Sequence, residues 1–311
     1  MKLFDRFLEG DVIALSRIIS LLEDNTYRSK ILDRLYPLSG KSRRIGITGP
    51  PGAGKSTLTD RLTSILRQNK RSLGIIAVDP TSPFTGGALL GDRLRMQTAW
   101  NDSEVFLRSM ADRSYEGGLA EATPYAVTAL DAFGKDYIIV ETVGVGQSAL
   151  DISEISDTTV VLLTPESGDS IQAMKAGLME IADILIVNKD DRDGSSRFAS
   201  ELQMVVNMKE WEDTWKPPVL RVSARDNKGI EEIYEQLLAH REYLAEENRL
   251  DKLRCHQARL AIHRVLRELW ENQIKKPTNF NETMEKLSKS VARREIQPYG
   301  AAQEVMTRIK S

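Results

Sequence analysis

The chain has 311 residues, 41% hydrophobic and 28% charged, with a formal net charge of −2. That is an ordinary globular composition, and the near-neutral charge gives no electrostatic reason to expect nucleic acid or an anionic membrane as partner. The single cysteine, Cys255, excludes an internal disulfide framework, and no run approaches the roughly 18 apolar residues of a membrane span, so a cytoplasmic location is expected.

The first 40 residues carry a helical period. Val12, Leu15, Ile18, Ile19 and Leu22 recur at three- and four-residue steps, then Ile31, Leu32 and Leu35, until Pro37 and Gly40 end the pattern. The spacing predicts an N-terminal helical segment over 1–40. From Arg43 to about residue 240, short apolar runs alternate with helical stretches: Ile45–Ile47, Leu73–Val78, Val105–Leu107, Tyr137–Val140, Thr159–Leu163, Ile184–Val187 and Val219–Val222. They are β-branched and lack strict alternation, which suits parallel strands buried on both faces. The fold class expected for 41–240 is α/β, a mainly parallel sheet flanked by helices, and the string Gly49-Pro50-Pro51-Gly52-Ala53-Gly54-Lys55-Ser56 after the first run makes it a P-loop NTPase domain. From Glu231 to about Lys275 the chain is helical again, with no glycine or proline before Pro277. One long helix and two successive helices satisfy that pattern equally. Leu237 and Leu244, then Leu253 and Leu260, sit seven apart, a hint of helix pairing, so 241–311 is read as a C-terminal helical arm.

Gly49-Pro50-Pro51-Gly52-Ala53-Gly54-Lys55-Ser56 is a complete G-x-x-x-x-G-K-S/T string, set between an apolar strand and a helix that continues through Thr57. In that context the glycines turn backbone N–H groups inward around a polyphosphate, and the helix N-terminus adds partial positive charge. Lys55 would reach the β- and γ-phosphates, and the Ser56 hydroxyl would ligate Mg²⁺. Asn188-Lys189-Asp190-Asp191 follows the strand Ile184–Val187 and matches N-K-x-D. Asp191 could accept guanine N1–H and N2–H₂ together, a donor pair adenine does not offer. This resembles the base-reading motif of GTPases, in which the asparagine ties the loop to the phosphate loop and the lysine stem covers the base. Ser223-Ala224, closing Val219–Val222, resembles the short backbone motif that buttresses the guanine carbonyl.

Three acids are candidates for Mg²⁺ and the attacking water. Asp79 ends the strand Leu73–Val78, Asp92 lies in the turn-rich stretch that begins at Pro80, and Glu141 ends Tyr137–Val140. Mg²⁺ takes octahedral oxygen ligands and keeps several waters, so these carboxylates can act through water. Lys55, Asp92 and Glu141 are the catalytic candidates. Thr142 and Gly144 would bring backbone close to the γ-phosphate, which makes 141–148 a candidate switch. His240, His256 and His263 fall in the long helical region without a clustered set of metal ligands.

Taken in order, Asp79-Pro80-Thr81-Ser82-Pro83-Phe84-Thr85-Gly86-Gly87, Gly91-Asp92-Arg93, Leu107-Arg108-Ser109-Met110, Glu141-Thr142-Val143-Gly144-Val145-Gly146-Gln147-Ser148 and Asn188-Lys189-x-Asp191 closely resemble the methylmalonyl-CoA mutase-associated GTPases, the ArgK/MeaB family. The likeness runs from about residue 12 to Gln297-Pro298-Tyr299-Gly300-Ala301-Ala302. It implies a homodimeric, GTP-hydrolysing chaperone of an adenosylcobalamin-dependent acyl-CoA mutase, with GTP/GDP and Mg²⁺ as ligands and the C-terminal arm in the dimer. Such proteins gate cofactor loading and protect or reactivate the mutase. The resemblance also implies that Gly144 and Gln147 belong to a switch and that Asp169, Gln172 and Lys175 form a further one coupling nucleotide state to the mutase. Ser170 and Ala149 stand where the family carries acids, so the hydrolytic core is expected to hold while partner contacts differ. Two alternatives share the nucleotide chemistry. A nickel-type metal-insertion GTPase would need soft or imidazole ligands near a switch, and 41–230 contains no Cys or His. A protein kinase, an older description of this family, would need a base for the acceptor hydroxyl, and no such constellation is readable.

Overall fold

In the computed structural model, which describes residues 2–24, 27–80, 102–112, 122–142, 150–165, 177–209, 215–275, 280–294 and 296–310, all seven apolar runs form strands. They are β1 (Arg43–Thr48), β2 (Leu73–Pro80), β3 (Val105–Asp112), β4 (Tyr137–Glu141), β5 (Thr158–Leu163), β6 (Ile184–Val187) and β7 (Val219–Arg221). One sheet holds them in the order β3-β2-β4-β1-β5-β6-β7, and every pairing is parallel.

The helices are α1 (Lys2–Leu8), α2 (Val12–Glu23), α3 (Arg28–Leu35), α4 (Lys55–Gln68), α5 (Thr123–Ala132), α6 (Leu178–Ile181), α7 (Ser195–Met208), α8 (Ile230–Ala245), α9 (Arg249–Lys275), α10 (Phe280–Ala292) and α11 (Pro298–Lys310). The chain divides into two compact units, residues 1–253 and 254–311. In the second unit α10 and α11 pack on each other.

Within the first unit, strand alternation sorts the core into layers. Ile45, Ile47, Leu73, Ile75, Ile139, Val160, Leu162, Ile184 and Ile186 point to one face, covered by Leu58, Leu62 and Leu66 of α4 and by Ile230, Ile233 and Leu237 of α8. Ile76, Val78, Ile138 and Val140 point to the other, where Ala126 and Leu130 of α5 meet Leu15, Ile18, Ile19 and Leu22 of α2. The second half of that face, Val161, Leu163, Leu185 and Val187, lies under α6 and α7. The expected N-terminal helices are therefore part of the sheet's own core. Asp11 starts α2 by accepting from the N–H groups of Ile13 (2.8 Å) and Ala14 (3.4 Å), which satisfies orphan donors of the first turn.

The long helical stretch is two helices. A 3₁₀ turn over Glu246–Asn248 separates α8 from α9, with φ of +50° at Glu247 and +56° at Asn248, outside the right-handed helical region. Arg249 holds the turn, bonding Tyr243 O (3.1 Å) and Glu247 (2.9 Å) with its guanidinium 4.3 Å over the Tyr243 ring.

This topology fixes where a ligand can enter. The segment after β1 becomes α4 on one face, while Ile152 and Ile155, which follow β4, pack on the opposite face. Adjacent strands whose connections leave to opposite sides open a crevice at their C-terminal ends. In this sheet that crevice lies between β1 and β4. Among the described residues no helix is long and apolar enough to cross a membrane.

Candidate nucleotide-binding site

The loop from Gly49 to Gly54 runs out of β1 into α4 at the mouth of this crevice. Gly49 has φ +145° and Gly54 φ +96°, conformations that L side chains rarely adopt. Space imposes the same choice. A Cβ at Gly49 would lie 2.1 Å from the carbonyl oxygen of Leu162, and one at Gly54 would lie 2.4 Å from Nδ2 of Asn188.

Lys55 is buried, and its Nζ donates to the carbonyls of Gly49 (2.8 Å) and Pro50 (3.1 Å). Burial lowers its pKa and the nearby Glu141 carboxylate opposes that shift. Glu141 enters from β4, whose register sets it beside Ile47 of β1 and Ala77 of β2. Both of its oxygens are held from α4: Ser56 Oγ donates to Oε1 at 2.6 Å and Thr59 Oγ1 to Oε2 at 3.0 Å. Next in the chain, Thr142 Oγ1 bonds Thr48 Oγ1 (2.9 Å) and its N–H donates to Ile47 O, which pins the end of β4 to the end of β1. Asp79 lies on β2 two residues beyond the Glu141 register, at the same edge of the sheet. Asp92, Gly144, Gln147, Asp169, Gln172 and Lys175 lie outside the described residues.

The second half of the site is built on β6 and β7. Asn188, buried, donates from Nδ2 to Ala53 O (2.6 Å) and accepts from the Ala224 N–H (3.1 Å), so one amide links the phosphate loop to the loop after β7. Lys189 adopts φ +62°, which turns the chain sharply before Asp191. Asp191 faces Ser223 Oγ at 3.2 Å and the Arg225 guanidinium at 3.1 Å. Arg225 meets Asp191 through one guanidinium nitrogen, while the same guanidinium bonds both oxygens of Asp226 (3.1 and 3.4 Å). Sequence reading missed three contributors. Asp190 is clamped by Arg221 (2.7 Å) and Ser195 (2.6 Å), and the Arg221 bond holds its carboxyl below the usual carboxylate range. Arg61 of α4 donates to the carbonyls of Ala224 and Arg225 and braces the same loop. Thr59 holds Glu141. The signal for Asp190 was its place inside the N-K-x-D string, whereas Arg61 and Thr59 carry no motif.

The profile described as methylmalonyl Co-A mutase-associated GTPase MeaB matches residues 15–279. The chain belongs to the MeaB family of GTPases. It is 43% identical over 312 residues to a GTPase-family protein of Pyrococcus abyssi, covering 99% of this chain and 96% of that one. Against the GTPase ArgK of Escherichia coli it is 34% identical over 262 residues, covering 81% and 79%. Its fold matches a crystal structure of an LAO/AO transport system kinase with a TM-score of 0.75 at 24% identity, covering 100% of this chain and 97% of that one. The family is one of P-loop GTPases, which implies guanine-nucleotide binding.

Proposed function

We propose that this GTPase is the chaperone of an adenosylcobalamin-dependent acyl-CoA mutase, and that it uses GTP binding and hydrolysis to gate cofactor loading and to protect or reactivate the mutase. The mutase association in the description of the matching family carries this reading. The site supports the chemistry. Gly49 to Gly54 and Thr57 would surround the phosphates, with Lys55 exchanging the Gly49 and Pro50 carbonyls for β- and γ-phosphate oxygens. Asn188, Lys189, Asp191, Ser223 and Ala224 would bind and read the base.

The residues at the crevice fit Mg²⁺. A hydroxyl and a carboxylate oxygen converge to 2.6 Å, and hard oxygen donors are the set this cation takes. Ser56 would ligate it, and Glu141 with Asp79 and Asp92 would hold its waters. When bound, it would supply charge neutralisation to the β- and γ-oxygens during phosphoryl transfer. The protein's own part is positional. Lys55 compensates charge on the β- and γ-oxygens, and Glu141, fixed at the end of β4, orients water and opens 141–148, the stretch expected to sense the γ-phosphate.

The test pairs the purified protein with its cognate mutase in the cofactor-free form. GTP hydrolysis should accelerate when the mutase is added, and adenosylcobalamin loading should require hydrolysable GTP. In the Lys175→Ala variant the acceleration should vanish. Hydrolysis and cofactor loading that both ignore the partner would sink the chaperone reading.

A further inference from the structure

The Thr59–Glu141 contact has no place in any of the nucleotide motifs. Thr59 is the fourth residue after Lys55, in the second turn of α4, and it is fully buried. Threonine and serine in a helix ordinarily return their hydroxyl proton to the carbonyl four residues back. Two neighbours do this: Thr63 Oγ1 donates to Thr59 O (2.7 Å) and Ser64 Oγ to Asp60 O (3.1 Å). Thr59 Oγ1 stands 3.0 Å from Lys55 O and also 3.0 Å from Oε2 of Glu141. It has one proton for two acceptors. An ionised carboxylate is the stronger acceptor, and the proton goes to Glu141.

We propose that Thr59 is a positioning residue of the metal site: its hydroxyl fixes Glu141 Oε2, which keeps Oε1 turned toward Ser56 Oγ, where Mg²⁺ would bind. The inference rests on the Mg²⁺-dependent GTPase reading above. A carboxylate has a rotatable stem, and a Ser56 hydroxyl that ligates a metal through an oxygen lone pair keeps its proton for Glu141 Oε1. Thr59 holds the other oxygen, so two hydroxyls of α4 together set the rotation of the Glu141 carboxylate. Without the hydroxyl, the buried carboxylate loses this donor at Oε2 and with it one of the bonds that set its orientation. Partners that orient metal-site groups in this way typically change metal affinity about 10–100-fold when removed.

The experiment uses the full chain loaded with a fluorescent GDP analogue and follows nucleotide release while Mg²⁺ is titrated. Wild-type release should slow with a defined Mg²⁺ midpoint. Thr59→Val, which keeps the shape and loses the hydroxyl, should move that midpoint upward by about 10–100-fold. Release in EDTA should be unchanged, and Thr59→Ser should restore the wild-type midpoint. If the valine variant does not fold, Thr59→Ala carries the same expectation without added bulk. A folded Thr59→Val or Thr59→Ala variant with the wild-type midpoint overturns the inference, as does a well-folded Thr59→Ser that fails to rescue. Wild-type release indifferent to Mg²⁺ would instead overturn the metal reading itself, so the two failures are distinguishable.

Discussion

Asn188 does the joining that makes one site out of two loops. Its amide donates to Ala53 O and accepts from Ala224 N, and its Nδ2 occupies the space that only glycine at position 54 leaves open. A phosphate-loop movement therefore reaches the base-reading loop through a single buried side chain. Beyond it, Asp191 already engages the Arg225 guanidinium. In the base-reading role proposed for Asp191, guanine N1–H and N2–H₂ would take the place of that contact. Hydrogen bonds to a charged acceptor are worth about 1.5–3 kcal/mol each, so losing both in Asp191→Asn should cost GTP roughly 3–6 kcal/mol of binding. The new amide donor faces the extra carbonyl of xanthine, and XTP should then bind better than GTP. Calorimetry with GTP, XTP and ATP checks it, and a wild-type protein that does not distinguish ATP from GTP would remove Asp191 from the base. Asn188, Asp191, Lys55 and Ser56 were legible because each belongs to a string whose spacing the ligand dictates. Thr59 was not. Its partner is 82 residues away and reaches it only because β4 pairs beside β1.

Among the elements, β5, β6 and α8 are joined at the end of the sheet opposite the nucleotide. His240 of α8 is buried, with Nδ1 2.9 Å from Thr158 Oγ1 at the start of β5 and Nε2 3.4 Å from Oδ1 of Asp183, just before β6. The second Asp183 oxygen accepts from the Thr159 N–H (2.7 Å), and the Trp215 ring lies 4.7 Å from the imidazole. Desolvation pushes Asp183 up to about 7, against the Thr159 bond, and pushes His240 down to about 4. Between the unfolded aspartate value of 3.8 and 7, the folded state binds more protons at Asp183, so its contribution to stability is lost as pH rises across that window. His240 acts in the opposite sense from about 4 to 6.5, where the unfolded state binds more, so its contribution grows with pH. The two nearly cancel in the wild type. Asp183→Asn removes one partner. Its stability relative to wild type should increase between pH 5 and pH 8, which urea melts at the two pH values would detect. A difference that does not change with pH would remove Asp183 as a titrating group. The seven strands were visible in the sequence because burial on both faces leaves continuous β-branched runs. The break between α8 and α9 was not, since Glu247 and Asn248 take positive φ without the glycine that usually announces it.

At the scale of the whole molecule, the sheet explains why the phosphate loop, Glu141 and the loop after β7 meet: β1 and β4 are neighbours whose connections depart to opposite faces, and α4 reaches Glu141 through Ser56 and Thr59 and the loop after β7 through Arg61. On α9, Ile262, Val265, Leu266, Leu269 and Trp270 recur at three- and four-residue steps, and Leu269 keeps 60% of its surface exposed. An apolar helical stripe of this kind is the mark of an association surface. A second copy of the chain is the proposed occupant, in line with the homodimer implied by the sequence resemblance. Burying each such side chain contributes about 1.5–3 kcal/mol, so two charges placed in the stripe should outweigh the rest of the interface. Light scattering of the full chain at micromolar concentration should give a dimer, and Ile262→Glu with Leu269→Glu should give a monomer that still binds GDP. The nucleotide site, confined to the first unit, should not register the change. A wild-type protein that is monomeric at that concentration, or a double variant that remains dimeric, would remove α9 from the interface.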